Sequence, residues 1–179
     1  MARLSRSIAP GWGWIRTEGF PLCRPIGRGR GEAELWLGIG GNLGDVPRRF
    51  QRLLHLLERQ SDLRLAESSP ILLNPPFGYL QQPEFCNAVI RLYTHLSPVR
   101  ALRRVLEIER RFGRKRPFRD APRTLDIDLL FYGDRRIRRR DLTIPHPRWR
   151  ERLSVTMPLA RMRRLPPGVR RDALQRRAP

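Results

Sequence analysis

The sequence predicts an α+β domain whose elements follow the order strand, helix, strand, strand, helix, strand. Two segments place apolar residues at the spacing of an amphipathic helix, and four segments show the alternating or continuous apolar pattern of strands. This order is typical of ferredoxin-like βαββαβ sheets, which carry their helices on one face. We therefore expect the other face to be free for a ligand, and a short C-terminal extension to follow the last strand.

The first strand and the first helix are predicted at the start of this order. The strand begins near Glu34, alternates apolar residues with others, and ends in the glycine-rich loop 40–45. Asp45, followed by Val46 and Pro47, has the pattern of an N-cap and a first helical turn. The apolar stripe of this helix is formed by Phe50, Leu53, Leu54 and Leu57.

The middle of the chain predicts two strands separated by an irregular loop. The second strand is predicted over 63–72. Loop 74–79 contains two prolines and one glycine, which prevent regular pairing of its backbone. The third strand is predicted over 85–94, with one face formed by Ala88, Ile90, Leu92 and Thr94.

A second helix and a fourth strand complete the order. Ser97 and Pro98 begin the helix, and Gly113 ends it. Its apolar residues are Val99, Leu102, Val105 and Leu106. Because side chains alternate between the faces of a strand, the fourth strand is predicted to have one apolar face and one acidic face. The apolar face is formed by Leu125, Ile127, Leu129 and Phe131, and the acidic face by Asp126 and Asp128.

The two ends of the chain lack such patterns. Residues 1–33 contain six glycines and three prolines without sustained periodicity, which predicts a disordered extension or a start codon placed upstream of the true one. We expect the folded domain to span 34–165 and a ragged tail rich in arginine and proline to span 166–179. Removing residues 2–33 is then expected to leave the melting temperature unchanged.

Composition limits the classes of protein to consider. A chain of 179 residues fits one domain, and its net charge of +20 is compatible with a nucleic-acid partner. However, Lys115 is the only lysine, and arginines are spread over every segment, which is typical of a GC-rich genome. We therefore expect no specific nucleic-acid partner. No apolar run is long enough for a membrane span, and two distant cysteines favour a reducing cytoplasm.

The acidic strand and the arginines before it indicate a chemistry. Carboxylates at spacing two can hold magnesium, and arginines bind phosphate oxygens, so together they are typical of phosphoryl transfer. The arginines nearest to the strand are Arg114, Arg116, Arg119 and Arg123. Two aspartates at this spacing, taken alone, more often form a solvated strand face. Here the arginines next to them in sequence favour the functional interpretation instead.

Four sets of residues resemble the 6-hydroxymethyl-7,8-dihydropterin pyrophosphokinase family of folate biosynthesis. They are 40–45 (GGNLGD); 75–78 (PPFG) with 82–88 (QPEFCNA); 113–116 (GRKR) with 121–128 (APRTLDID); and 144–148 (IPHPR) with 151–152 (ER). The resemblance runs from about 35 to 160. It implies that a pyrophosphoryl group moves from ATP to the hydroxymethyl oxygen of a reduced pterin, releasing AMP. The alternatives are a basic RNA-binding protein of ferredoxin-like fold and a nucleotide-binding family member without turnover.

The resemblance also implies roles for individual residues. Asp126 and Asp128 would hold two magnesium ions. The catalytic arginines would be Arg114, Arg116 and Arg123, and ATP would be bound by these three with Glu109, His146 and Arg152. Pterin would be bound by Asn42, Asn74, Pro75, Phe77, Phe85, Asn87 and Asp126. ATP and a reduced pterin are the implied partners, and we expect a monomer. Simpler interpretations are a surface position for Glu109 and a core position for Phe77 and Phe85.

The chain departs from the family pattern at Ser154, where an aromatic residue that stacks on the pterin is common. Two arrangements would follow from this. Either the pterin is stacked from one side only, or Trp149 replaces the missing ring. The first is favoured, because Trp149 follows Pro147 closely and can pack against the domain instead.

Overall fold

A computed structural model of the protein describes residues 3–114, 118 and 121–175. Among these residues, no helix combines the length and the apolar character that crossing a bilayer requires. The elements in chain order are β1 (Arg3–Ala9), β2 (Trp12–Arg16), β3 (Leu22–Cys23), β4 (Ala33–Gly41), α1 (Val46–Glu58), β5 (Arg64–Ser68), β6 (Ile71–Asn74), β7 (Phe85–Thr94), α2 (Pro98–Arg111), β8 (Asp126–Tyr132), β9 (Ile137–Arg138), β10 (Thr143–Ile144), α3 (Leu153–Ala160) and α4 (Arg171–Gln175).

The main sheet is antiparallel, with strands in the order β1-β2-β6-β7-β4-β8, and β5 pairs with both β3 and β7. The strand predicted over 63–72 is two strands, β5 and β6, which pair with successive parts of the long β7. The break falls at Ser69 and Pro70. Proline has no backbone N–H to continue a ladder, which explains the interruption.

Helices α1 and α2 both pack on one face of the main sheet, as predicted. This face is called the first face, and the opposite one the second face. The Asp45 side chain accepts from the Arg48 N–H at 3.0 Å, and Ser97 caps α2 through the Arg100 N–H at 3.4 Å. The stripe of α1 is buried as predicted. On α2 the prediction for Leu106 is wrong, because this side chain is 41% exposed. The helix instead buries Ala101, Val105 and Ile108, at spacings of four and three.

A β-bulge in β8 changes which residues share a face. Leu37 pairs with Leu129 and Trp36 with Phe131, so Leu130 is an extra residue in β8. Phe131 therefore points to the second face with Leu130, whereas Ile127 and Leu129 point to the first. The prediction that Phe131 shares a face with Leu129 is wrong for this reason.

The second face of the sheet is partly covered, in contrast to the prediction of helices on one face only. The chain after β10 packs there through Trp149, Val155 and Leu159, against Trp36 and Val89. Leu174 of α4 is also buried in this cluster, so the described part of the predicted tail 166–179 is folded onto the domain. What stays accessible is the end of the second face that carries Asp126 and Asp128.

The described part of residues 1–33 also differs from the predicted disordered extension. Strands β1 and β2 form an N-terminal hairpin that pairs with β6, and β3 pairs with β5. Phe20 is fully buried in the main core, and Trp14 is 6% exposed. The sequence pattern is weak because β2 and β3 are short and pair with β6 and β5, which lie about 50 residues further along the chain. Strands of two to five residues are too short to show a sustained alternation of apolar residues.

Candidate active site

The acidic pair lies at the start of β8, on the second face of the sheet. Asp126 binds Arg114 through Oδ1, and its Oδ2 lies 3.5 Å from Arg123 Nη1. Asp128 Oδ2 accepts from Arg152 Nη1 at 2.8 Å. The side chains of Asp126 and Asp128 are 18% and 33% exposed, so each carboxylate is paired with a cation and also reachable from solvent. The structure therefore brings two predicted carboxylates together with three predicted arginines.

Glu109 is built into this site and is not on the helix surface. It is 2% exposed at the end of α2, where Oε1 accepts from the Ile127 N–H at 2.6 Å and Oε2 binds Arg114. Burial raises the pKa of the Glu109 carboxyl to about 7, although the Ile127 N–H and the Arg114 guanidinium act in the opposite direction. Glu109 thus fixes Arg114 next to the acidic strand.

We expect Glu109→Ala to lower the free energy of unfolding by about 2 kcal/mol. The change removes the acceptor of the buried Ile127 N–H and one partner of Arg114. Glu109→Gln should lose less, because its side-chain oxygen can still accept from Ile127. Urea denaturation measures both. The matched control is Glu107→Ala on the same helix, whose exposed ion pairs should contribute little to stability. Equal losses at both positions would contradict the assignment.

Two buried polar atoms beside the acidic pair lack a hydrogen-bond partner among the described residues. They are Arg114 Nε and Thr124 Oγ1. Buried polar groups are normally paired, so unpaired ones next to solvent-accessible carboxylates are compatible with a polar ligand there. Within the described ranges, no group of three or more His, Cys, Asp or Glu side chains is placed to hold a metal ion by itself.

His146 lies against the same region from the second face. The backbone N–H of His146 donates to the Leu130 carbonyl at 2.9 Å. The imidazole Nδ1 accepts from the backbone N–H of Arg148 at 3.3 Å. Burial lowers the pKa of His146 below its usual value, and the negative charge of Asp128 opposes this shift in part. The imidazole is therefore held neutral near pH 7 and is oriented by the backbone.

Asn42 connects three loops at the edge of the site. It is 5% exposed; its Nδ2 donates to Gln82 Oε1 at 2.9 Å and to the Pro83 carbonyl at 3.1 Å, and its Oδ1 accepts from the Arg123 N–H at 2.8 Å. Gln82 lies in the motif 82–88, but no role was predicted for it. Sequence reasoning missed Arg49, whose Nη1 donates to the Leu43 carbonyl at 2.6 Å, because no motif includes this residue.

Asn74 and Asn87 form a second pair of amides on neighbouring strands. Asn87 Nδ2 donates to Asn74 Oδ1 at 2.7 Å, and Asn74 Nδ2 donates to the Pro75 carbonyl at 2.8 Å. A Cβ atom on Gly40 would lie 2.7 Å from Asn87 Oδ1, so the glycine leaves the space that the amide occupies. Asn74 is 1% exposed and orients Asn87.

Aromatic side chains border these amides. Phe85 is 6% exposed, and the Arg123 guanidinium lies 5.0 Å from its ring centroid. Phe77 is 59% exposed, so the core interpretation is wrong for Phe77. Tyr79 and Phe118 meet edge to face at 5.7 Å on the rim. Exposed aromatic groups beside buried amides are typical of a pocket for a flat ligand.

Two predicted positions have other outcomes. Arg116 lies outside the described residues. Trp149 is 8% exposed and packs edge to face on Phe131, with centroids 4.9 Å apart, so it is part of the second core cluster and does not replace an aromatic residue at Ser154. Ser154 is half-buried in the first turn of α3.

Comparison with known proteins gives one consistent family. The family model for 7,8-dihydro-6-hydroxymethylpterin-pyrophosphokinase matches residues 36–164. The chain is 48% identical over 126 residues to the 2-amino-4-hydroxy-6-hydroxymethyldihydropteridine pyrophosphokinase of Helicobacter pylori, covering 69% of this chain and 77% of the relative. It is 37% identical over 123 residues to the enzyme of that name from Campylobacter jejuni, covering 69% and 78%. The Bacillus subtilis enzyme of that name is 34% identical over 125 residues, covering 70% and 75%.

Proposed function

The chain belongs to the 7,8-dihydro-6-hydroxymethylpterin-pyrophosphokinase family, and from that premise we propose that the candidate site is where its reaction takes place. The protein is a pyrophosphokinase of folate biosynthesis: it transfers the pyrophosphoryl group of ATP to 6-hydroxymethyl-7,8-dihydropterin. The hydroxymethyl oxygen attacks the β-phosphorus, and AMP leaves. The observation that carries the placement is the acidic pair enclosed by arginines on the open end of the second face.

Asp126 and Asp128 are the proposed ligands for two magnesium ions. Magnesium binds proteins through one or two carboxylates and completes its shell with water and substrate phosphates, so a pair of carboxylates fits it. The unpaired Thr124 Oγ1 beside the pair supports a hydrated ligand there. When bound, magnesium would neutralise the charge of the ATP phosphates.

Arg114, Arg116 and Arg123 are the proposed catalytic residues, because guanidinium groups stabilise charge on the transferring group and on the departing AMP. Arg114 and Arg123 bind Asp126 in this structure. With Asp126 holding magnesium, Arg114 and Arg123 would be available to bind the ATP phosphates. Catalysis then rests on positioning and electrostatics.

ATP is proposed to extend from these arginines toward His146 and Arg152. Arg152 is held at Asp128, and the neutral imidazole of His146 can bind a nucleotide without an added charge. Glu109 is proposed to act on ATP through Arg114, since both of its oxygens already accept hydrogen bonds within the protein. This assigns Glu109 to positioning.

The pterin is proposed to lie over Asn87, next to Phe85 and the loop that carries Pro75 and Phe77. A pterin has a flat ring and an amide edge, which suit an aromatic face and a carboxamide. Asn74 and Asn42 are proposed to shape this pocket, because their amides hold Asn87 and the surrounding loops. Asp126 lies in the same row of the sheet as Asn87, with Gly40 between them.

One experiment tests the proposed function directly. The chain is incubated with ATP, magnesium and 6-hydroxymethyl-7,8-dihydropterin, and the nucleotides are separated by chromatography. AMP that forms only when the pterin is present is the expected result. ADP as the product would contradict the reaction, and binding of ATP without any product would support a family member that has lost turnover.

RNA binding should be weak and independent of sequence. Arginines spread over the whole chain attract phosphates only by charge, so we expect about 200 mM salt to abolish binding. Fluorescence anisotropy with two unrelated labelled RNAs at 50 and 200 mM salt measures this. Tight binding of one RNA at the higher salt concentration would support the RNA-binding alternative.

The setting of the enzyme is also a proposal. Both cysteines, Cys23 and Cys86, are free thiols, which supports an enzyme of the reducing cytoplasm. We infer a ferredoxin-like core, in which β4, α1, β5 with β6, β7, α2 and β8 supply the six elements. The monomeric state stays a prediction that sedimentation equilibrium can check.

A further inference from the structure

The N-terminal hairpin lies outside residues 36–164, which match the family, yet its turn sits on the loop assigned to the pterin. A Cβ atom on Gly11 would lie 3.0 Å from Pro75 Cγ and 3.2 Å from Glu84 Oε1. Gly11 has a φ of +72°, a conformation that suits glycine at such a close approach. The hairpin therefore borders the candidate site directly.

The strand register places Trp12 on the face that carries the pterin residues. Trp14 pairs with Leu72, and Leu72 pairs with Asn87. Two residues further along, Asn74 pairs with Phe85, and the same register sets Trp12 beside Asn74. Since residues two apart in a strand point the same way, Trp12 and Phe85 share a face, with Asn74 between them.

By this register, Trp12 and Phe85 flank Asn74, and the position over Asn74 between them is termed the slot. Neighbouring strands are about 4.8 Å apart, so the backbones that carry Trp12 and Phe85 are separated by about 10 Å. A flat ring stacked between two walls lies about 3.5 to 4.0 Å from each of them, so the two walls must be about 7 to 8 Å apart. The residue between the walls is Asn74, whose short side chain is hydrogen-bonded to Asn87 and to the Pro75 carbonyl.

Packing holds Trp12 at this position while leaving part of it accessible. Trp12 is half-buried and packs on the cluster of Trp14, Leu72 and Met157. It meets the exposed Phe77 edge to face, with centroids 6.4 Å apart. Leu153, the residue before Ser154, packs on the same cluster. Trp12 and the residue before Ser154 therefore pack on one and the same cluster.

We propose that Trp12 forms one wall of the pterin pocket, opposite Phe85. This inference rests on the proposed function, because it assumes that the pterin lies over Asn87. The indole of Trp12 offers a flat face that can stack on a heteroaromatic ring. Trp12 thereby replaces the ring that is absent at Ser154, although it lies outside the residues that match the family. The pterin would then be stacked on two sides instead of the expected one.

The test compares Trp12→Ala and Trp12→Phe by isothermal titration calorimetry. Affinities are measured for 6-hydroxymethyl-7,8-dihydropterin in the presence of a non-hydrolysable ATP analogue, and for the analogue alone. We expect Trp12→Ala to weaken pterin binding about threefold to tenfold, as the loss of one stacking contact does, and to leave the analogue's affinity unchanged. Trp12→Phe should restore most of the pterin affinity, because it keeps an aromatic face.

Ile15→Ala is the matched control. Ile15 lies in the same strand but packs on the main core behind the sheet, so this variant loosens the hairpin without removing a ring from the slot. Pterin affinity within twofold of the wild type in Trp12→Ala, or an equal loss in Ile15→Ala, would overturn the inference. Formation of AMP by the wild-type chain is measured separately, so failure of the proposed function and failure of the Trp12 assignment are distinguishable.

Discussion

Asp126→Ala and Asp128→Ala should each lower the turnover of AMP formation by at least about a hundredfold. Each carboxylate is a proposed magnesium ligand, and the loss of one ligand misplaces the charge that stabilises the transferring phosphates. Asp126 also holds Arg114 and Arg123, and Asp128 holds Arg152, so each change also disturbs the cations around the nucleotide. Steady-state kinetics at saturating ATP and magnesium measures the effect.

The control for these variants is Asp141→Ala. Its side chain is 59% exposed and makes a surface contact with Arg139 at 3.8 Å, so turnover should not change. Circular dichroism should show that all three variants keep their fold, because the acidic pair lies at a solvent-accessible end of β8. Near-normal turnover in either Asp126→Ala or Asp128→Ala would refute the proposed role of the acidic pair.

Phe20→Ala should lower the free energy of unfolding by about 3 to 5 kcal/mol. Phe20 is fully buried, and its ring packs on Phe50 of α1 with centroids 5.8 Å apart. Removing a buried phenyl ring costs its transfer free energy and leaves a cavity. For a chain of this size, the melting temperature should fall by roughly 10 °C. Thermal unfolding followed by circular dichroism measures the change.

The control is Phe118→Ala, the same substitution at a side chain that is 54% exposed, which should change stability by less than about 0.5 kcal/mol. If Phe20→Ala melted at the temperature of the wild type, residues before β4 would contribute no core, as the sequence pattern suggests. In that case, deleting residues 2–33 should also leave stability unchanged. Because Phe20 and Trp14 are buried, we expect instead that this deletion is severely destabilising.

The elements predicted correctly are those whose pattern is local. The stripe of α1 and the cap at Asp45 lie within a few residues of each other, and helical periodicity is a property of one segment. The face of β7 formed by Ala88, Ile90 and Leu92 is equally regular. These residues pack as predicted because a single periodic face meets a single core.

The features that escaped prediction depend on distant parts of the chain. The extra residue Leu130 is defined only by the pairing of β8 with β4, and nothing in the order of apolar residues distinguishes it from its neighbours. The strands of the N-terminal hairpin gain their stability from β6, which follows about 55 residues later. Local propensity does not contain this information.

The candidate site shows the same division. Asp126, Arg123 and Arg114 are close in sequence, and their association could be predicted from spacing and resemblance. By contrast, Arg152 reaches Asp128 from the chain before α3, and the ties from Asn42 to Gln82 and Arg123 join loops that have no common pattern. Trp12 belongs to a segment that sequence reasoning assigned to no domain at all.

The N-terminal hairpin also bears on how the protein avoids aggregation. Without β2, the strand β6 would present the unpaired backbone of Ile71, Leu72 and Leu73 at the edge of the sheet, and an apolar open edge recruits strands from other molecules. The strand that does form the edge is β1, which has two irregularities in its register and an exposed, charged Arg6. Bulges and charge both discourage pairing between molecules. The hairpin therefore ends the sheet with an edge that is poorly suited to growth into fibres.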